Sequence, residues 1–389
     1  MTRKGNIKAV ARREFRLWRR RPVYLIGSII PLVVSTIFFA TFFGAGMPSD
    51  LPIGVVDYDN SSLTRNFIRQ LDATQLGEVV QYSTYAEARA DMQKGRITSI
   101  CVLPENMYAD VQANRRPKFT FYVNGLYFVG GALAYKDILT MINLTSGAVQ
   151  REVLRAKGVN EHSIGGLLRA VDLDTHQIGN PTTNYGVYLL NGLLPGVLAM
   201  SVVLILVYSL GAELKYSTSH HLLETAGGSI VTALAGKLAV YTALFSLLGW
   251  GMVGLLYIWM GFPFAGSFWW MLLAVTLLVL ASEAVALIII SLIPVCRFAL
   301  SISALYCVMS FSMSGFSLPV ESMIPAIQGF AEMFPLRHYY QFFVQEGLFA
   351  SGFAGWYPEI IHLLIFLVIP IFLIPRLGRA YVNLDYAKN

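Results

Sequence analysis

The stretch VYLLNGLLPGVLAMSVVLILVYSL, Val187–Leu210, contains no charged side chain. At about 1.5 Å of rise per residue, a helix of this length crosses the roughly 30 Å of hydrocarbon in a lipid bilayer. Comparable apolar runs predict further spans at Val23–Ala45, Ile230–Met260, Trp269–Ile293, Phe298–Leu318 and Ile360–Pro375. The chain is therefore predicted to be an α-helical integral membrane protein with about six transmembrane helices.

The composition of the 389-residue chain supports this class, because 55% of the residues are hydrophobic and only 13% are charged. The formal net charge of +6 does not indicate nucleic-acid binding, because nine basic residues precede position 22, next to the first predicted span. The three cysteines, Cys101, Cys296 and Cys307, are too scattered for a disulfide framework or a zinc site. We interpret them as packing residues.

The distribution of lysine and arginine predicts the orientation of the chain in its membrane. With an even number of spans, the N-terminal tail, the connection after the second span and the C-terminal end lie on one side. Basic residues such as Lys215, Arg297 and Arg376 fall on that side, and Arg337 is the exception on the other. Both termini are therefore predicted to be cytoplasmic, and residues 46–186, between the first two spans, to be outside.

The sequence pattern of residues 1–22 predicts a cytoplasmic amphipathic helix in the headgroup layer. A first transmembrane helix over 23–45 is predicted to follow it. In GNIKAVARREFRLWRRR, apolar side chains recur on one helical face and arginines occupy the others. Such a helix places its arginines near anionic lipid. The residues that mark it are Arg12, Arg13, Phe15 and Trp18. A basic topology signal without this helix is the alternative.

Residues 46–186 have the composition of a soluble domain. Strand-like runs occur at Ile53–Asp59, Val79–Tyr82, Ile97–Pro104 and Lys118–Asn124. They alternate with segments of helical spacing at Ser61–Leu71, Tyr85–Lys94 and Glu105–Asn114, and a long helix is predicted over Phe128–Val159. Alternation of this kind favours an α/β domain, a small sheet with helices packed on it, inserted between the first two transmembrane helices.

The sequence carries no motif for catalysis or metal binding. Gly236-Lys237 is followed by Leu238, so the GxxxxGK[ST] loop of an ATPase is absent, as are HExxH and GxSxG. His220 and His221 are adjacent, and on a helix their side chains diverge by about 100° and cannot chelate one ion together. The chain is therefore not expected to be an enzyme or to hold a metal.

Two polar features interrupt the apolar sequence. Glu283 lies near the middle of the fourth span, where a carboxylate is either functional or a hydrogen-bonded packing residue; both alternatives stay open. GAELKYSTSHHLLETAGG, Gly211–Gly228, connects the second and third spans, and its leucines have the spacing of short helices at the membrane edge. A soluble protein could contact such a segment.

Several motifs together resemble the ABC type-2 export class of ABC transporter permeases, in the subgroup whose ATPase is a separate polypeptide. The insert begins with VVDYDNSSLTR (Val55–Arg65) and continues with GRITSICVLP (Gly95–Pro104), as inserts of this class do. Asn180-Pro181 precedes the second span and Pro195-Gly196 lies inside it. SGFSLPVESMIPAIQGFAEMFPLRHY, Ser314–Tyr339, resembles a phrase of the class that folds partly back into the outer leaflet. The resemblance covers nearly the full chain.

In this class the connection after the second span is the coupling helix that docks into the ATPase. The resemblance carries that role to Glu213, Lys215, Thr218, His220, His221, Leu222, Gly236 and Lys237. The chain departs from the usual pattern because Lys215 and His220 replace acids, Ser217 replaces glycine and Ala226 replaces proline. These departures raise the question of which ATPase fits.

The resemblance implies a function for each part of the chain. Residues 187–389 form helices 2–6 with the coupling loop 211–228 and an outer-leaflet re-entrant segment 319–345. The pathway residues are Pro195, Gly196 and Glu283, and the outer gate comprises Gly315, Pro319, Met323, Pro325, Pro335 and Arg337. The second and fifth spans would line a pathway at a dimer interface.

The resemblance also implies partners and a location. Two copies of an ABC ATPase would bind and hydrolyse ATP with Mg, while this chain binds no cofactor. A second permease, identical or related, would complete an exporter of amphipathic, drug-like or lipid-like substrates in a bacterial cytoplasmic (inner) membrane, in contact with membrane lipids and without nucleic acid. A periplasmic adaptor on the insert stays an open question.

Two other classes of function remain as alternatives. A membrane scaffold or receptor would use the extracytoplasmic domain to bind envelope partners, and the altered coupling motif favours this alternative. An ion-coupled transporter would depend on Glu283. It would be expected to show inverted repeats, and no convincing repeat occurs in the sequence.

Overall fold

The computed structural model describes residues 6–44, 46, 49–74, 77–113, 115, 117–125, 128–160, 163–164 and 178–383. Within the chain, contacts define two compact units, Met47–His176 and the combination of Met1–Gly46 with Gln177–Asn389. Arg3 and Lys4 of the basic tail, and Asn114 at the end of a predicted helix, lie outside the described residues. The α/β domain predicted between the first two spans is confirmed.

The helical unit contains six helices that are long and apolar enough to cross a membrane. They are α2 (Pro22–Phe42), α7 (Tyr185–Lys215), α9 (Ile230–Gly254, continued by a π-helical turn Leu255–Trp259), α10 (Phe268–Leu292), α11 (Cys296–Met313) and α14 (Phe353–Asn383). The predicted number of spans is confirmed. Helix α1 (Ile7–Arg20) precedes them, and the short helix α8 (Ser219–Thr225) connects α7 to α9.

Two predicted helix ends differ from the observed ones for identifiable reasons. The last helix begins at Phe353 rather than Ile360 and continues past Pro375 to Asn383. The prolines inside it made it look shorter in the sequence, but membrane helices tolerate proline where neighbours satisfy the freed carbonyls. The fifth helix ends at Met313 rather than Leu318, because Gly315 adopts a φ of +92°, which an α-helix does not allow.

Helices α7 and α10 form the centre of the helical unit, and the other spans surround them. In their most apolar windows, α7 is 67% buried and α10 is 78% buried, against 22% for each of α2, α11 and α14. The peripheral helices keep large apolar side chains on the outside, as helices do when lipid or another membrane subunit covers them.

Glycines on α7 allow close packing against α11 and the segment after it. A Cβ atom added at Gly196 would lie 2.2 Å from the ring of Phe311, and one at Gly192 would lie 2.8 Å from the ring of Phe316. Small residues let membrane helices approach one another and gain dispersion contacts. The Pro195-Gly196 pair therefore marks a packing point between the second and fifth spans.

The connection from α11 to α14 contains only short helices. A 3₁₀ turn (Val320–Ser322) leads to α12 (Pro325–Ala331) and then to α13 (Pro335–Phe342), which continues as a π-helical turn over Phe343–Leu348. Pro325 and Pro335 each occupy a first-turn position, where the missing N–H costs nothing.

The other unit is built on a four-stranded sheet: β1 (Leu51–Asp57), β2 (Gly77–Tyr82), β3 (Ser99–Leu103) and β4 (Thr120–Val123). The strand order is β2-β1-β3-β4; β1 is parallel to both neighbours, and β4 is antiparallel to β3. The helices are α3 (Ser62–Asp72), α4 (Tyr85–Gln93), α5 (Met107–Gln112) and α6 (Phe128–Ala156). They bury the two faces of the sheet in separate apolar clusters.

Candidate functional site

Four charged side chains from three helices meet in the interior of the helical unit. Lys237 Nζ on α9 lies 2.8 Å from Glu14 Oε2 on α1 and 2.9 Å from Glu213 Oε1 on α7. Arg13 on α1 donates through both terminal nitrogens to the two carboxylate oxygens of Glu213, at 2.8 and 3.0 Å. We call Arg13, Glu14, Glu213 and Lys237 the ionic cluster.

The ionic cluster is electrically balanced and its carboxylates are fully hydrogen-bonded. Ser209 Oγ and Tyr241 Oη donate to Glu14 Oε1 at 2.8 and 2.9 Å, and Thr218 Oγ1 donates to the second oxygen of Glu213. The side chains of Glu14 and Lys237 have no exposed surface. Buried charges persist when they are paired and when hydrogen bonds satisfy their remaining positions, and both conditions hold here.

Arg13 remains charged although it is partly buried. Burial by itself lowers the pKa of Arg13, but the hydrogen bond and the negative charge of Glu213, with the charge of Glu14, raise it above its ordinary value. Two carboxylates and two cations therefore share one site, and they hold α1 against α7 and α9.

Gly236 explains how α1 comes close enough to α9 to form the ionic cluster. A Cβ atom at this position would lie 2.6 Å from Val10 Cβ and 2.8 Å from the carbonyl oxygen of Ile7. Only glycine allows this approach without a shift of α1. The Gly236-Lys237 pair thus combines a close backbone contact with a buried ammonium group.

Helix α8 packs against neighbouring helices with its inner face, and its outer face is exposed. Leu222, Leu223 and Ser219 are buried, and Ser219 Oγ donates to the carbonyl of Tyr381 on α14 at 2.8 Å. Tyr381 Oη in turn donates to the carbonyl of Leu210 on α7 at 3.0 Å. The exposed side chains in and next to α8 include Lys215, Tyr216, Ser217, His220, His221 and Glu224.

Ser217 stands where glycine is usual in the permease class and adopts the conformation that glycine favours. Its φ is +54°, in the left-handed region, directly after the end of α7. Helices commonly terminate on such a residue. The position therefore keeps its structural role as the end of the second span.

The residues predicted for ATPase coupling separate into two sets. Lys215, His220 and His221 are exposed together, whereas Glu213, Leu222, Gly236 and Lys237 are buried and Thr218 is half-buried. A buried side chain does not reach a docked protein, so only the exposed set is placed for direct contact, and the coupling role of all eight residues stays a prediction. The buried set instead connects α7, α8 and α9 to their neighbours.

Sequence reasoning missed Glu14 and Ser209, whereas Tyr241 matches the pattern that follows the coupling loop in the permease class. Glu14 is the single acidic residue among the nine bases that precede position 22. An isolated acid in a basic amphipathic helix is a usable signal, because it has no role in a purely lipid-binding face. Ser209 lies within an apolar run and gave no signal.

A helix, α1, is observed where the interfacial helix was predicted, and its marker residues face different ways. Arg12 and Phe15 are exposed, while Arg13 points to Glu213. Trp18 is half-buried and its indole N–H donates to Ser28 Oγ on α2 at 3.0 Å. One face of α1 is therefore committed to internal contacts, and Phe15 with the arginines is left for the surface.

The predicted pathway residues do not share one cavity. Gly196 lines a small cavity of about 10 Å³, which has room for about one water molecule. Glu283 is 3% exposed, and it accepts a hydrogen bond of 2.8 Å from Thr242 on α9. The carboxylate of Glu283 is thus used in a helix–helix contact and does not line that cavity.

The predicted outer-gate residues lie along the connection from α11 to α14. Pro319 and Pro325 are exposed, Gly315 and Met323 are half-buried, and Pro335 is buried at the start of α13. Arg337 forms an ion pair of 2.9 Å with Glu332. The structure places these six residues in one continuous segment, although not in a single cluster.

The α/β unit contains an open groove of about 640 Å³ between α3, α5 and α6. Its wall is mainly apolar and includes Phe67, Met107 and Phe119. Arg115 and Lys157 also line the groove. A groove of this size and chemistry suits an amphipathic molecule with an anionic group.

The fold defines a multi-pass membrane protein of the transport class. It combines six apolar helices, an α/β domain inserted after the first of them, and a short helix packed between the second and the third. The profile of the ABC-2 family transporter proteins matches residues 22–374, and the chain belongs to this family. It is a permease subunit of an ABC transporter, a class that associates with an ABC ATPase and typically with a second permease. No curated protein matches the chain.

Proposed function

We propose that this permease exports an amphipathic, drug-like or lipid-like substrate, driven by a separate ATPase that docks on the exposed face of α8. The observation that carries the proposal is the link between that face and the ionic cluster. Thr218 at the start of α8 donates to Glu213, which also binds Arg13 of α1 and Lys237 of α9.

A displacement of α8 would reach three helices at once through this link. Ser219 adds a fourth connection, to Tyr381 of α14. Interfaces that are packed and hydrogen-bonded transmit movement as rigid bodies, because they do not deform continuously. ATP-driven closure of two ATPases would therefore move α1, α7, α9 and α14 together.

The exposed surface of the helical unit supports a pathway between two permeases. The largest apolar faces are exposed on the peripheral helices. On α11, four side chains at helical spacing form a stripe: Phe298, Ile302, Leu305 and Val308. A second copy could pack here, and a pathway bordered by such side chains suits an amphipathic or lipid-like substrate better than an ion. The groove in the α/β unit, with Arg115 and Lys157, supports the same class.

The distribution of basic residues supports an orientation with both termini and α8 in the cytoplasm. A bacterial cytoplasmic membrane is implied by the resemblance to the permease class. In this orientation the α/β domain lies outside. The ATPase, in two copies, would bind ATP and Mg. This chain would contribute no catalytic group.

The proposal is tested by purifying the complex through a tag on this chain and identifying a co-purifying protein with a Walker motif. The double variant His220→Asp with His221→Asp places two negative charges on the exposed face of α8. We expect it to lose the ATPase and ATP-dependent export while still inserting in the membrane. Gln70→Asp with Gln93→Asp adds the same charge at exposed helical positions of the α/β unit and serves as the matched control.

The outcome separates transport from a scaffold function. If the His220/His221 variant retains the ATPase and its export activity, α8 is not the docking site. If the unaltered chain brings no ATPase but binds envelope proteins through residues 46–186, the scaffold alternative replaces the exporter.

A further inference from the structure

Two histidines and two glutamates form a cluster that joins α12, α13 and α14. These residues are distant in the sequence from those of the ionic cluster. It consists of Glu332, at the C-terminal end of α12, His338 on α13, and Glu359 and His362 on α14. Potential ligand atoms of Glu332, His338 and His362 all lie within 4.8 Å of one another. We call these four residues the His–Glu cluster.

His338 is buried between oxygen atoms. Its Nδ1 lies 2.9 Å from Glu359 Oε2, and its Nε2 lies 3.1 Å from the carbonyl oxygen and 3.6 Å from the carboxylate Oε2 of Glu332. The side chain is 1% exposed. A neutral imidazole that donates from Nδ1 to Glu359 directs the lone pair of Nε2 at these oxygens, which is unfavourable unless a proton or a metal ion lies between them.

His362 supplies a nitrogen that no described residue satisfies. Its ring stacks on the ring of His338, with centroids 4.6 Å apart and an interplanar angle of 14°. Its Nδ1 is buried and has no hydrogen-bond partner among the described residues. Buried polar atoms without a partner are uncommon, and each one calls for an explanation.

Glu332 is positioned to complete a site. Arg337 binds its Oε1 at 2.9 Å, while its Oε2 faces His338. The Glu332 side chain is 44% exposed, so it can adjust to a ligand at little cost. The cluster therefore offers two imidazoles and a carboxylate, a ligand set typical of zinc sites.

We propose that the His–Glu cluster binds one divalent transition-metal ion of the Zn²⁺ class. The ligands are His338 through Nε2, His362 and Glu332, and water completes the coordination. Glu359 orients His338 by accepting from Nδ1, the arrangement in which carboxylates support metal-binding histidines. The stacked rings require His362 to turn about its χ angles when the ion binds. Because the ligands are imidazoles and a carboxylate, and no thiolate takes part, the site does not favour the soft metal ions that cysteine-rich sites prefer.

The bound ion would connect α12 and α13, which carry Pro325, Pro335 and Arg337 of the predicted outer gate, to α14. Glu332 lies at the end of α12, His338 on α13 and His362 on α14, so coordination would fix the segment 325–342 to the last span. This inference is independent of the direction of transport, because it concerns only the internal geometry of the chain.

The experiment uses the full-length protein in detergent, purified through a tag without histidine and stripped of metal with a chelator that is then removed. Zn²⁺ is titrated by calorimetry, and Co²⁺ is added separately as a spectroscopic probe. We expect about one equivalent of Zn²⁺ per chain, Co²⁺ absorption bands of low-symmetry nitrogen and oxygen coordination without thiolate charge transfer, and a higher melting temperature with Zn²⁺.

The variants distinguish this site from other histidines. His362→Ala and Glu332→Gln change side chains that are not fully buried, and each should abolish the equivalent of Zn²⁺ and the rise in melting temperature. Glu359→Gln should weaken binding about 10–100-fold, as loss of an orienting carboxylate does. His220→Ala with His221→Ala, at exposed positions elsewhere, should leave binding unchanged.

Two results would overturn the proposal. Stoichiometric binding that persists in the His362→Ala with Glu332→Gln double variant would place the ion elsewhere. No binding to the unaltered, monodisperse protein would mean that a proton on His338, rather than a metal, separates its nitrogen from Glu332.

Discussion

The ammonium group of Lys237 lies 2.8 Å from the carboxylate of Glu14, although 223 positions separate the two residues in the chain. The pair joins the N-terminal helix to the third span, and Glu213 extends the connection to the second span and to α8. These contacts hold α1, a basic helix, against the helices that support the proposed docking surface.

Replacing Lys237 by methionine should destabilise the protein by about 3–5 kcal/mol, because Glu14 and Glu213 would then be buried with too little positive charge. The measurement is the free energy of unfolding in mixed micelles. Lys8→Met changes an exposed lysine on α1 and should have little effect. Adding Glu14→Gln to Lys237→Met should restore part of the lost stability, because one unpaired buried charge is then removed. If Lys237→Met and Lys8→Met lose the same free energy of unfolding, the ionic cluster does not stabilise the protein.

Alanine at Gly236 should displace α1, since its Cβ would lie 2.6 Å from Val10 Cβ. We expect a loss of about 1–3 kcal/mol, the usual cost of overpacking, and weaker binding of the ATPase. Gly251 lies on the same helix and has no atom near its added Cβ, so Gly251→Ala is the matched control and should be neutral or stabilising. If the two variants unfold at the same temperature, the close approach of α1 has no energetic importance.

The proposed orientation predicts which side of the membrane each exposed position occupies. In a cysteine-free background, Gln70→Cys in the α/β unit should react with a membrane-impermeant thiol reagent in intact cells. His221→Cys on α8 should react only after lysis. The reverse pattern would invert the proposed topology, and with it the location of the ATPase.

The thiol of Cys101 should resist alkylation in the folded protein. Burial in β3 raises the pKa of Cys101 well above its ordinary value of 9.0, so the thiol stays protonated while a free cysteine ionises. The unfolded chain therefore loses its proton first, and the contribution of this group to stability falls as the pH rises above about 9. With Cys296 and Cys307 replaced by alanine, labelling should require denaturant; rapid labelling of the native chain would contradict the burial.

Much of the architecture could be predicted from local sequence. The six spans, the alternating elements of the insert and the N-terminal helix follow from hydrophobic length, periodicity and turn residues, which are properties of neighbouring positions. The last span was underestimated because its prolines and Glu359 lower the local hydropathy, although neighbouring helices support it. The sequence also showed a resemblance to a permease class at Val55–Arg65 and Ser314–Tyr339, and the family match confirms that class.

By itself, the sequence determined the class of protein, the number of spans and the segments in which polar residues interrupt apolar helices. Only the tertiary structure decided which of those residues face outward and which pair. Glu213 and His220 belong to the same short connection, yet the first is buried against Arg13 and Lys237 while the second is exposed. His338 and His362 likewise meet only because α13 packs on α14. Composition and periodicity report how a residue relates to its chain neighbours, whereas the pairing of buried charges and ligands depends on contacts between distant helices.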